Sequence, residues 1–332
     1  GNTVRGQRCL TWQAFIFEGI QVSSTLVYQH PTTATINRGA GPLGRWVRTG
    51  QRNRRHTRCI CSDTPRRIAA VICNAPLNRV NDNLARMARW VAAAEKQNVD
   101  IICFPELNIS GYSTRESLQI SAQPIPGPIT DKIAAMAAGH NVTILAGMVE
   151  NGRSGKVFVS HVVVSAEGLQ GVYRKLHVAP PELPIFNAGQ KVPLFESDGI
   201  KFGIQLCYDA HFPELTTRMA VEGADMVFFP HASPRNSAQQ KATSWLRHLP
   251  ARAFDNGLFV VACNQVGENQ SGLFFPGVAV AIDPSGNLLQ ERLTDTEEMM
   301  IVDLDAEALN AVRSHPMRYF LPNRRPDMYS KS

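Results

Sequence analysis

Residues 201–223 read KFGIQLCYDAHFPELTTRMAVEG. The mostly apolar run 201–207 has the length of a buried strand, and 212–223 reads as the helix that follows it. Cys207 therefore stands where a strand hands over to a helix. A cysteine on an apolar strand is most often a small buried hydrophobe. Its place at a strand's carboxyl end also suits a nucleophile, because ligands of open α/β sheets gather at those ends.

The same rhythm runs outward in both directions. Residues 68–73 (IAAVIC) and 99–106 (VDIICFPE) are predicted strands. Between them lies a predicted helix over 81–97, whose Leu84, Met87, Trp90, Val91 and Ala94 recur at three- and four-residue spacing. Asn81 or Asp82 is the expected cap. A helix over 129–139, a strand over 142–150 and a strand pair at 157–164 and 171–174 follow. Beyond the cysteine come a strand at 225–230, one long helix over 238–256 and a strand at 258–264. A hairpin over 278–291 then turns at Pro284-Ser285-Gly286-Asn287. Alternating strands and helices with short connections predict an α/β fold, and strands that are hydrophobic throughout predict sheets covered on both faces.

Charge divides the chain in two. The 332 residues carry a net +6. Residues 1–66 hold ten arginines, no lysine and two acids, a net +8, which leaves −2 for residues 67–332. The basic balance belongs to the extension, so no nucleic-acid partner is expected for the body. Residues 1–66 are expected to take no catalytic role and to hold little stable fold, because they pattern too little apolar surface to offset ordering entropy. A transit peptide, a disordered arm and sequence upstream of the native start all stay open for them.

Residues 67–332 are long enough for one large domain with its own core. The longest apolar runs, 226–229 and 258–263, are too short to span a bilayer, so no membrane role is expected. The seven cysteines are odd in number and irregular in spacing, which fits neither a disulfide framework nor a zinc site. A reducing, cytoplasmic setting is expected, with organellar targeting by the extension left open. Cys73, Cys103 and Cys263 lie in apolar strand-like stretches and are expected to be buried thiols.

Three ionisable residues of different type close three predicted strands: Glu106, Lys175 and Cys207. A thiol with an ordinary pKa near 8.5 is mostly protonated at neutral pH. A carboxylate beside it can take the proton, and an ammonium beside it favours both thiolate and the oxyanion of a tetrahedral intermediate. The backbone N–H of Tyr208 is a candidate second oxyanion donor. The carboxylate can then return the proton to leaving ammonia or amine. No metal or organic cofactor is required. Spacing alone does not bring the three together, and singly each has a bland reading: a buried thiol, a solvated lysine, a turn-closing glutamate.

The motifs around them are more specific. FPELNISGY (104–112), YRKLHVAPPE (173–182) and LCYDAHFPE (206–214) resemble, in that order, the glutamate, lysine and cysteine motifs of the carbon–nitrogen hydrolase family, or nitrilase superfamily. The resemblance runs from about Ile68 to RRPDMY at 324–329 and leaves out residues 1–66. It implies a four-layer αββα sandwich assembled as a homodimer or larger oligomer. It also implies Glu106 as general base, Lys175 as stabiliser of the tetrahedral intermediate and Cys207 as nucleophile. Glu182, seven residues after Lys175, matches the family's second glutamate and is expected to orient Lys175 and the substrate. The reaction implied is hydrolysis of a non-peptide C–N bond of a small molecule through a thioester. A non-catalytic binding protein on the same scaffold would be expected to have lost one of the three motif residues, and none is lost.

Nitrilases of the family typically place Trp and Glu after the cysteine, where this chain has Tyr208 and Asp209. The form CYD-x-x-FPE looks more like the amidase and N-carbamoyl-amide branches, so an amide or carbamoyl substrate is expected ahead of a nitrile. N-carbamoyl-D-amino-acid hydrolases carry arginines just after the cysteine motif, where Ala210 and His211 stand here. Arg235, in PHASPR (230–235), is an alternative grip for a substrate carboxylate. His211, His231, Tyr112 and Tyr208 are further candidate pocket residues, each also open to a purely structural role. Trp245 and Arg247 are expected on a helix that packs on a neighbouring subunit or over the site.

Overall fold

The computed structural model describes residues 65–234 and 237–329. In chain order the elements are β1 (Arg66–Ile72), α1 (Val80–Glu95), β2 (Ile101–Cys103), α2 (Pro128–His140), β3 (Thr143–Asn151), β4 (Val157–Ser165), β5 (Gly168–Arg174), β6 (Phe195–Ser197) and β7 (Ile200–Ile204). Then come α3 (Pro213–Val221), β8 (Met226–Pro230), α4 (Ala238–Trp245), α5 (Leu249–Asn256), β9 (Phe259–Cys263), β10 (Gly267–Glu268) and β11 (Phe274–Phe275). The last are β12 (Gly277–Ile282), β13 (Leu288–Thr294), β14 (Glu298–Leu304), α6 (Ala306–Ser314) and α7 (Pro326–Tyr329).

The strands make two six-stranded sheets, ordered β14-β1-β2-β3-β4-β5 and β13-β12-β9-β8-β7-β6. Each has a parallel centre, β1-β2-β3 in the first and β7-β8-β9 in the second, with antiparallel strands outside. The alternation of β1 shows how the layers form. Ile68, Ala70 and Ile72 join a core shared with Phe202, Ile204 and Val261 of the second sheet. Ala69, Val71 and Cys73 turn the other way, onto Leu84, Met87 and Val91 of α1 and Ile129 and Ile133 of α2. Leu215 and Met219 of α3, Trp245 of α4 and Ala253 of α5 pack on the second sheet. The result is helices, sheet, sheet, helices, the α/β sandwich the sequence resemblance implied. Cys73, Cys103 and Cys263 are buried and free, as expected.

Three sequence expectations are corrected. The helix expected over 238–256 is two helices, because Pro250 in the first turn of α5 has no N–H to bond the carbonyl of Leu246 and continue the ladder. The helix expected from 212 begins at Pro213, after a separate 3₁₀ turn over Cys207–His211, with proline in the first-turn position it favours. Neither Asn81 nor Asp82 caps α1. The helix starts at Val80, and Asp82 instead accepts a 2.8 Å bond from Arg79 Nε. The Asn83 side chain holds that end, donating to the carbonyls of Pro76 and Ile109, each at 2.9 Å. The expected extension 1–66 lies outside the described residues except for its last two, and Arg66 already belongs to β1.

β3 passes close to the segment after β2 that carries Glu106. A Cβ on Gly147 would stand 2.3 Å from the backbone nitrogen of Leu107. Leu107 itself has a positive φ of 55°, a conformation side-chain-bearing residues adopt at a cost. Gly147→Ala is therefore expected to lower stability by about 1–3 kcal/mol through overpacking. Urea unfolding reads this directly, and an unchanged midpoint would contradict the close approach.

Candidate active site

Strand ends bring the candidate residues to one place. Glu106 follows β2, Lys175 follows β5 and Cys207 follows β7. Lys175 is fixed at its backbone by two bonds: its N–H donates to Val159 O at 2.9 Å and its carbonyl accepts from Gly189 N at 2.8 Å. The end of β5 is also clamped by Arg174, whose guanidinium makes a two-pronged bond to Glu150 of β3 at 2.5 and 2.7 Å.

The Lys175 ammonium lies between two carboxylates. Nζ is 2.9 Å from Glu106 Oε1 and 2.9 and 3.0 Å from the two oxygens of Glu182. All three residues are buried. The free oxygens are also used: Glu106 Oε2 accepts from Ala232 N, and Glu182 Oε2 from Ala179 N, both at 3.0 Å. Tyr112 donates to Glu182 Oε1 at 3.1 Å. From behind, Gln265 Nε2 holds the Glu106 carbonyl at 2.8 Å.

Two negative charges and one positive charge leave the buried group at −1 when all are ionised. Burial, modulated by these charges, sets the proton affinities. Burial, countered by Lys175 and reinforced by Glu182, pushes the Glu106 carboxyl up to about 7. Burial works against the charge of Lys175, but Glu106, Cys207 and Glu182 together outweigh it and hold the ammonium protonated. Burial and then the charge of Glu106 push the Cys207 thiol well up. The site thus rests as a thiol beside a carboxyl poised near neutrality.

Cys207 opens the 3₁₀ turn with φ +44°, so its side chain is aimed by a strained backbone. Asp209 holds that turn. Its buried carboxylate accepts from Leu206 N at 3.0 Å, from Tyr173 Oη at 2.7 Å and from His177 N at 2.8 Å, and pairs with His177 Nδ1 at 2.8 Å. Tyr173 and His177 flank Lys175, so one carboxylate ties the cysteine turn to the lysine loop. Tyr208 N–H lies in the first turn of the 3₁₀ segment, where no intrahelical acceptor exists.

The remaining sequence candidates separate. Tyr112 is buried on Glu182, with its ring edge-on to Phe275. His231 is buried beside the Ala232 amide, bonds Phe229 O through Nδ1 at 2.8 Å, and packs on Trp245 at 4.4 Å. Burial lowers its pKa well below that of an ordinary histidine. Trp245 thus covers His231 from α4. The Tyr208 ring lies between His211 and Phe212. His211 is exposed and faces His248 at 4.9 Å; no hydrogen bond joins it to Glu106, Lys175 or Cys207 among the described residues. Arg235 lies outside the described residues. The sequence carried no signal for Lys241, a lysine in the middle of AQQKATSW that is buried beside the site. Asp209 was visible only as part of a motif, since a carboxylate's partners are not written in spacing.

The carbon–nitrogen hydrolase family model matches residues 67–314. The chain belongs to the carbon–nitrogen hydrolase family. It is 31% identical over 231 residues to an (R)-stereoselective amidase of a Pseudomonas species, covering 70% of this chain and 82% of that one. It is 30% identical over 268 residues to a nitrilase of Pyrococcus abyssi, covering 79% and 98%. The crystal structure of a carbon–nitrogen hydrolase from Helicobacter pylori shares the fold, with a TM-score of 0.72 at 24% identity over 80% of this chain and 96% of that one. The protein is an enzyme of the amidase and nitrilase type, acting on C–N bonds other than peptide bonds.

Asp209→Ala removes the acceptor of several buried donors at once. Each left unpaired costs about 1–3 kcal/mol, so a clear drop in the urea midpoint is expected, together with altered alkylation of Cys207 by iodoacetamide. A variant matching the wild type in both would contradict the role of Asp209 in holding the turn.

Proposed function

We propose that the enzyme hydrolyses a small-molecule amide or N-carbamoyl amide through a thioester on Cys207. The observation that carries this reading is the buried Glu106–Lys175–Glu182 group, with a carboxyl tuned near 7 beside the thiol. Glu106 takes the proton of Cys207 as Sγ attacks the carbonyl carbon. Lys175 Nζ and the Tyr208 N–H stabilise the oxyanion. Glu106 then gives the proton to the leaving nitrogen, the C–N bond breaks, and ammonia or an amine departs. Water, deprotonated by Glu106, attacks the thioester, and the thiolate leaves and regains the proton. Glu182 holds Lys175 and is itself held by Tyr112 and Ala179 N. The amidase relative supports an amide, as does the Tyr208-Asp209 pair after the cysteine.

An ammonia-release screen over ω-amides, N-carbamoyl compounds, aliphatic amides and nitriles identifies the bond cut. Turnover of nitriles alone would sink the amide reading. Cys207→Ser is expected to lower kcat/KM by at least roughly 10³-fold with the fold intact, and retained turnover would contradict the nucleophile.

The pH profile tests the base. Glu106 accepts a proton only when ionised, and its ionised fraction falls as pH drops through its raised pKa of about 7. Thus kcat/KM should fall about tenfold per pH unit below that point. An acidic limb centred near 4, where an ordinary carboxylate titrates, would contradict burial as the tuning force.

A further inference from the structure

Lys241 is a second buried lysine at the same centre, and the chemistry above does not use it. It lies on α4, 7% exposed, and its Nζ donates to Ser233 Oγ at 2.6 Å. Ser233 follows Ala232, the residue whose N–H binds Glu106. The Ser233 loop is fixed from below by Asn264, which accepts from Ser233 N at 2.9 Å and donates to its carbonyl at 3.1 Å. The Ser233–Ala232 step thus places the ammonium next to the loop that binds Glu106, and Lys241 and the Cys207 thiol each feel the other's charge.

Its charge has no counterion among the described residues. Lys175 takes both Glu106 and Glu182, and no carboxylate pairs with Lys241. A serine hydroxyl accepts one hydrogen bond but neutralises nothing. His231, which also feels Lys241, is kept neutral by burial. A desolvated ammonium without an anion is costly, and burial correspondingly lowers its proton affinity. A ligand anion would relieve that penalty, and the bound ammonium would fix the far end of the substrate.

We propose that Lys241 is a specificity-determining residue that pairs with a carboxylate on the substrate, so that the preferred substrates are short ω-amides or carbamoyl compounds bearing an anionic end. The inference rests on the amidase reading for its chemistry and names the substrate class. One end of the substrate pairs with Lys241 while its amide carbonyl meets Cys207. Ser233, already bonded to Nζ, is placed to orient the ammonium toward the carboxylate.

The test compares glutaramate with butyramide, an anionic and a neutral primary amide of similar length, on the full-length enzyme and on Lys241→Met and Lys241→Arg. The wild type should favour glutaramate in kcat/KM. Lys241→Met should cut the glutaramate-to-butyramide ratio by roughly 10- to 100-fold, the worth of a charge-assisted bond, chiefly through the KM of glutaramate. Lys241→Arg should restore part of it. No preference in the wild type, or a ratio unmoved by Lys241→Met, would overturn the proposal while leaving the amidase reading in place.

Binding is read separately, by the protection that glutarate gives Cys207 against iodoacetamide in peptide mass spectra. Protection that weakens at least roughly tenfold in Lys241→Met supports the anion site even if neither amide is turned over, in which case it is the amidase reading that fails. Equal protection in both proteins counts against Lys241.

Discussion

The structure turns on one buried ammonium. Lys175 sits between the carboxylates of Glu106 and Glu182 with bonds of 2.9 to 3.0 Å and almost no water contact. Each ion gives up several kcal/mol of hydration on burial, so the group persists only because the charges pair and every carboxylate oxygen finds a donor or the ammonium. Removing the ammonium would leave two carboxylates facing each other, and breaking a buried pair of this kind costs about 3–5 kcal/mol. The same constraint explains the chemistry. Burial lifts the Glu106 carboxyl toward neutral pH, Lys175 opposes that rise, and the second carboxylate, Glu182, offsets part of the opposition.

The fold exists, from the site's point of view, to hold residues from strand ends of both sheets at one point. Glu106 and Lys175 come from one sheet, Cys207 and Ala232 from the other. The shared apolar core between the sheets sets their separation, and polar ties fix the loops that emerge from it. Asp209 joins the cysteine turn to Tyr173 and His177 on either side of Lys175. Ala232 N joins the end of β8 to Glu106. Positive φ at Leu107 and Cys207 places strain at the residue after Glu106 and at Cys207 itself.

Much of this was legible in the sequence, for physical reasons that can be named. Strand identity followed from apolar runs of four to eight residues, and the three ionisable strand ends from their positions. The motif order carried the layered architecture and the four residues Glu106, Lys175, Glu182 and Cys207. What was not legible depended on tertiary partners. Pro250 splits a helix whose apolar pattern continues across the break. β14 pairs with β1 across a long stretch of chain, Met300 opposite Ala70, and no local signal reports such a pairing. Lys241 reads as an ordinary helical lysine until α4 is seen to bury it beside Ser233. His211 stood next to the motif, yet its ring faces His248 at the surface.

The central claim is a covalent acyl group on Cys207, formed while Glu106 holds its proton. Rapid acid quench during turnover of an amide, followed by peptide mass spectrometry, measures it most directly. The acyl mass is expected on the peptide bearing Cys207 and on none of those bearing Cys73, Cys103 or Cys263, whose thiols are buried in the core. Turnover with Cys207 unmodified throughout, or an acyl group on one of the core cysteines, would contradict it.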